Sequence, residues 1–256
     1  MTHANQRTIE DWRLWVALVA IAMGICIVTV LNFTLNNEWA ARLLDRGRTF
    51  PWSVQNAMWV VFCLGLGEIG VRNVSARAEM HQLRQKYLPE DPRVVLQAED
   101  LPEIYKNIRS GVRANQCFLP RLVDRCILQF QASLSTAQSA SLLNTSVEMF
   151  LHEVDLRYNM IRYICWLIPS LGFIGTVVGI GNALEFAGSH SASDTSLLAE
   201  VTGRLAISFN GTFLALTLAS ILVFLQNIVQ SKEEHALNLS GQYCLDNLIN
   251  RLYIST

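Results

Sequence analysis

Charge falls along this chain in blocks. Four stretches, 14–37, 49–67, 163–184 and 205–231, contain no Asp, Glu, Lys, Arg or His. Each is long enough to cross a bilayer as a helix, which takes ~20 residues, so the pattern predicts four membrane spans. Residues 72–162, between the second and third spans, mix both charge signs and contain little glycine. There the pattern becomes that of amphipathic helices. Asp100-Leu101-Pro102-Glu103 reads as a helix start, with a cap-like acid and a glutamate three positions on. Pro120 opens another run, in which Leu122, Cys126, Phe130, Leu134 and Ala137 recur every three or four residues. No strong breaker follows before Pro169, so one helix is expected to run straight into the third span. The tail keeps a similar stripe through Leu225, Ile228, Val229, Ala236, Leu239, Leu248, Ile249 and Leu252. A continuous helix over 205–253 would be ~74 Å long, with Gly241 the expected interruption.

The expected fold is therefore an all-α membrane protein with four transmembrane helices. The last two extend into the cytoplasm, and a helical cytoplasmic segment lies between spans two and three. Its expected parts are an N-terminal pair of anchoring helices (1–71), the cytoplasmic segment (72–162), the pair formed by spans three and four (163–231) and a C-terminal helix (232–256).

Composition agrees: hydrophobic residues make up 51% of the chain and charged residues 16%. A net charge of -1 gives no sign of a nucleic-acid partner. Arg7 and Arg13 precede the first span, but its apolar run is too long for a signal peptide and no small-x-small cleavage site follows. Trp12, Trp15, Trp39, Trp52 and Trp166 cluster near span ends, as interfacial anchors do. Basic residues near the spans fall into two sets. Arg7, Arg13, Arg72, Arg77, Arg84, Lys86, Arg157, Arg162 and Lys232 lie on one side; Arg42, Arg46, Arg48 and Arg204 lie on the other. That bias places both termini and the large segment in the cytoplasm.

Metal or thiol chemistry has little support. The six cysteines include no CxxC pair or other metal spacing, and read as inert small apolar residues. His152, Glu153 and Asp155 read as a solvated helix face rather than a metal site.

Spans three and four carry a different signal. Gly172, Gly175, Thr176, Gly179 and Ala183 share one face of the third span, with Gly175 and Gly179 forming GxxxG. Ser208, Gly211, Thr212, Ala215 and Ala219 do the same in the fourth. Helices gain nothing hydrophobic by leaving lipid, so small residues that let backbones approach are what association requires. Pro169 leaves its helix one hydrogen bond short and permits a kink. Two readings stay open: a packing seam, or a hydroxyl-bearing face that lines an ion path or encircles a partner helix. Neither span contains an ionisable group of the kind that marks ion relays. A conducting complex would need its titrating group from another subunit.

At these residues the chain resembles the MotA/TolQ/ExbB proton-channel family. Pro169, Gly172, Gly175, Thr176, Gly179 and Ile180 fall in register with that family's P-x-x-G-x-x-G-T-x-x-G-I segment, and residues 201–216 resemble its following helix through Thr212. The four-span order is similar to the flagellar-stator branch. At Ile207 some relatives carry an acid, and at Ile221 many carry a proline. The resemblance implies a non-enzymatic, cofactor-free stator subunit of a proton-motive-force-driven motor complex in a bacterial inner membrane. Such subunits form a homopentamer around a single-span partner of the MotB/TolR/ExbD type, whose intramembrane aspartate carries H+ or Na+. It further implies an ion pathway at Thr176, Thr212 and Ser208, with Pro169, Gly172, Gly175, Gly179, Gly211 and Ala215 serving packing or kinking. The alternative is a membrane scaffold or assembly subunit without conduction.

The basic-residue bias generates a direct test. In a cysteine-free background, Ala40→Cys should react with an impermeant maleimide from outside the cell and Val95→Cys only from inside. The opposite pattern would reverse the orientation.

Overall fold

The computed structural model describes residues 3–34, 44, 53–91, 93–110, 117–191 and 196–253. Trp39, Arg42, Arg46, Arg48 and Trp52 lie outside the described residues. Among those described, the helices are α1 (His3–Thr34), α2 (Val54–Gln82), α3 (Leu101–Ser110), α4 (Phe118–Ser133), α5 (Thr136–Arg157), α6 (Asn159–Ser189) and α7 (Leu197–Asn247). Single 3-10 turns follow at Leu83–Gln85 and Ile249–Arg251. Four helical stretches, Trp15–Thr34, Val54–Gln85, Thr136–Ser189 and Leu197–Arg251, are long and apolar enough to cross a membrane. The chain divides into two compact units, one of Met1–Val71 with Met160–Asn227, the other of Arg72–Asn159 with Ile228–Thr256.

The first unit is packed through small residues. An added Cβ at Gly24 would stand 3.0 Å from the Val60 backbone, and one at Gly67 would stand 2.8 Å from Ala20 Cβ, so α1 and α2 meet backbone to backbone. Gly65 makes the equivalent space on α2 for Leu222 and Ile164, whose methyl groups come within 3.0 and 3.1 Å of the same construction. Many bulky residues turn the other way. Trp15, Phe33, Trp166, Phe173, Phe213 and Phe224 are all exposed on the unit's surface. Glycine at the closest helix contacts, with aromatic side chains on the outer surface, suits a lipid environment, where burial of bulk brings no hydrophobic gain.

The second unit follows soluble-protein rules. On α4, Leu119, Leu122, Val123, Cys126, Ile127 and Phe130 are buried, and Phe118 stacks on Phe150 of α5 at 5.7 Å between ring centroids. Burial pushes the Cys126 thiol up to about 12, as an inert core cysteine requires.

Two expectations about helix ends fail here. The run opened by Pro120 does not continue into the third span. It stops at Ser133, where Leu134 takes a left-handed φ of 48° and its N–H returns to Phe130 O at 2.8 Å. Ser135 then caps α5, its hydroxyl accepting the Gln138 N–H at 3.3 Å. Leu134 and Ala137 consequently point outward rather than extending the core stripe. A second break follows at Tyr158, between α5 and α6. Gly241, in contrast, does not interrupt α7, which continues to Asn247. Its missing side chain instead admits Val147 of α5, 3.1 Å from where a Cβ would be. Past the helix, Arg251 donates to the carbonyls of Pro89, Asp91 and Glu90 at 2.6, 2.6 and 3.2 Å.

A buried polar cluster ties this unit together. Glu233 is fully buried and accepts hydrogen bonds from Arg157 and from the Tyr158 hydroxyl, each at 3.0 Å. Glu153 pairs with Arg157 and with Arg121 rather than standing on a solvated face, whereas His152 and Asp155 are exposed. Glu79 of α2 caps α4 from a distance: its carboxylate accepts the Phe118 N–H at 2.8 Å, replacing the cap that Cys117 does not supply.

Burial pushes the Glu79 carboxyl up to about 7. The Phe118 N–H, Arg157 and Arg121 pull it down, and Glu233 pushes it up further. The folded chain therefore holds this proton between pH 4.5 and about 7, where an unfolded chain releases it. Stability should fall as pH rises through that window, by about 3 kcal/mol at most. Glu79→Gln keeps an oxygen for the Phe118 N–H and removes the buried charge. Its thermal midpoint should exceed the parent's above about pH 7, and the gain should shrink toward pH 4.5. A gain independent of pH in differential scanning fluorimetry would refute the assignment.

Candidate functional site

The seam between α6 and α7 is set by two glycines. A Cβ on Gly172 would collide with Ala215 Cβ and stand 3.4 Å from Thr212 Cα. One on Gly179 would run into the Ser208 hydroxyl. At both levels the helix backbones are as close as the chain allows, which is what glycine is for here. Gly175 is different. Its nearest neighbour is Val54 of α2, at an ordinary 3.5 Å, so the two members of GxxxG face different helices. Gly211 likewise faces α2, with Gln55 Nε2 3.6 Å from its Cβ position. Pro169 lies inside α6, which is helical on both sides of it.

Close approach brings hydroxyls within reach of the opposite backbone. Thr176 and Thr212 are hydrogen-bonded to each other across the seam. The Thr212 hydroxyl reaches the Gly172 carbonyl on α6 at 3.1 Å. The Thr176 hydroxyl reaches the Ser208 carbonyl on α7 at 3.2 Å and the Gly172 carbonyl on its own helix at 3.1 Å. Each helix thus offers a hydroxyl to a carbonyl of the other. Ser208 takes part through its carbonyl; its own buried hydroxyl donates to Arg204 O at 2.9 Å. Gly172, Thr176, Gly179, Ser208, Thr212 and Ala215 therefore come together, while Gly175 and Gly211 belong to the contact with α2.

Sequence reasoning missed Gln55 and Gln226. Both are buried inside charge-free runs. Gln55 Oε1 has no hydrogen-bond partner among the described residues, and it lies on the residue that packs on Gly211. Gln226 accepts a weak bond from Cys165 at 3.6 Å. The available signal was an amide side chain within a span, where unmatched polar groups are costly. Among the described residues, no group of three or more His, Cys, Asp or Glu side chains is placed to hold a metal ion.

These features define a class: a helical membrane protein in which two spans join by backbone contact and paired neutral hydroxyls. Residues 114–240, which take in α4, α5, α6 and most of α7, match the model of the MotA/TolQ/ExbB proton channel family, and through that match the chain belongs to the family. No curated protein and no solved structure matches the chain.

The contrast between the seam glycines is testable. Gly172→Ala and Gly179→Ala should each lower the thermal midpoint in detergent, since overpacking costs ~1–3 kcal/mol. Gly175→Ala should be neutral or stabilising, because alanine is better than glycine in a helix by ~0.8–1 kcal/mol. Fluorescence-detected size exclusion after heating measures all three. Equal midpoints for Gly172→Ala and Gly175→Ala would show that the seam is not closely packed.

Proposed function

We propose that the chain is the channel-forming stator subunit of an ion-motive-force-driven motor complex in a bacterial inner membrane, with both termini cytoplasmic. Five copies surround a single-span partner of the MotB/TolR/ExbD type, and an aspartate of that partner carries H+, or Na+ in a sodium-driven version. Thr176 and Thr212, with Ser208, form the part of the path contributed by this chain; Pro169 and the seam glycines shape the helices around it. The observation that carries this reading is a hydroxyl pair at mid-span between two spans, 163–184 and 205–231, that contain no charged residue. A neutral hydroxyl can accept from or donate to a carboxyl or a water while costing far less to bury than an ion. Membership of a proton channel family supports the same conclusion.

A packing role without conduction has its own support, since both hydroxyls reach backbone carbonyls within the chain. The two readings separate on one experiment. Thr→Val preserves shape and leaves no orphan acceptor, because each carbonyl keeps its own helical N–H. Thr176→Val and Thr212→Val complexes should therefore assemble with the partner at unchanged stoichiometry by native mass spectrometry. Their ion flux in reconstituted vesicles should fall about tenfold or more per hydroxyl, the worth of a hydrogen bond made at the barrier. Thr→Ser should keep part of the flux. Undiminished flux in an intact double Thr→Val complex would remove these residues from the path and leave packing as their role.

A further inference from the structure

Outside the seam, the second unit holds a cavity of about 420 Å³ lined by Ala76, Arg77, Met80, His81, Arg84 and Lys232. Four of these six side chains are basic. Arg77, His81 and Arg84 follow one another at four and three residues, so they share a face of α2 and the turn after it. Lys232 comes from α7, immediately after the charge-free run ends at Ser231. All four are exposed, and none forms a hydrogen bond or ion pair with a described residue.

The acids nearest them in sequence are committed elsewhere. Glu79 holds the Phe118 N–H, Glu233 holds Arg157 and Tyr158, and Glu234 accepts from Gln230 at 2.9 Å. Three cations and an imidazole thus converge on one concavity, with no counterion among the described residues. Basic residues that merely orient a span have no need to converge. Ala76 and Met80 add an apolar floor beneath the charges.

We propose that this cavity binds the phosphate headgroup of an anionic phospholipid. Three features select a lipid over a soluble anion or a protein. The cavity is of headgroup size rather than the breadth of a protein interface. Lys232 stands at the first position beyond a membrane span. The lining combines cations with an apolar wall, which suits a headgroup and its glycerol together. Basic pockets beside spanning helices hold anionic headgroups by the same electrostatics.

The test uses the full chain, delipidated in a neutral detergent and titrated with phosphatidylglycerol or phosphatidylcholine, with bound lipid counted by native mass spectrometry. The parent should retain phosphatidylglycerol in excess over phosphatidylcholine. The excess should fall about fivefold for each cation removed in the series Lys232→Gln, Arg84→Gln and Arg77→Gln, the weight of one basic residue near an anionic surface. Arg77→Lys with Arg84→Lys should keep most of it, and Lys106→Gln, at an exposed lysine on α3, should keep it all. All variants alter exposed side chains, and each is checked for a parental elution profile. Equal retention of the two lipids by the parent, or an undiminished excess in the triple variant, would overturn the proposal. Displacement of the lipid by millimolar inorganic phosphate would assign the cavity to a soluble anion and overturn it too.

Discussion

Within hydrocarbon, two helices that meet gain no release of water, so the distance between their backbones decides what can hold them. At Gly172 and Gly179 that distance is set by the absence of a side chain, with Ala215 and Ser208 filling the space. Only at such a separation can a threonine hydroxyl on one helix reach a carbonyl on the other, as Thr176 and Thr212 both do. The remaining features of the first unit follow. Many of the bulkiest side chains face outward, α2 closes on α6 and α7 through Val54, Gln55 and Gly65, and polar groups within the spans stay uncharged.

The second unit holds itself together by different means, although α7 contributes to both. Beyond its membrane segment this helix buries Glu233, Ala236, Ser240 and Cys244, and its contacts become ion pairs, a buried tyrosine hydroxyl and methyl packing. In water such groups can be left solvated in the unfolded chain, so burying them requires partners. Glu233 has two, and Glu79 finds one in the unpaired first N–H of α4.

What could be seen beforehand tracks how local each interaction is. Spans follow from runs of uncharged residues. The seam follows from small residues at helical spacing, although spacing alone could not separate Gly175 from Gly172 and Gly179, which differ only in the neighbour they face. The break at Leu134 was written locally, as Ser135 three residues before Gln138, but the apolar stripe continued through it and dominated the reading. Gly241 misled in the opposite direction. Its intrinsic penalty in a helix is outweighed by Val147, a contact almost a hundred residues away. The capping of Phe118 by Glu79 spans 39 positions and leaves no local trace at all. Gln55 was concealed by its position at the very start of a span, where polar residues are unremarkable.

The hydroxyl pair has a property that neither helix possesses alone. Thr176 and Thr212 bring two hydrogens to a set of acceptors consisting of two carbonyls and each other's oxygen. More than one assignment of those hydrogens leaves the helices cross-linked, and the assignments differ in the direction of the local dipole. Passing between them takes a rotation about each threonine's own C–O bond, with no heavy atom displaced. The link between the two helices can therefore reorient electrically while its heavy atoms stay in place, turning toward a nearby charge without parting the helices.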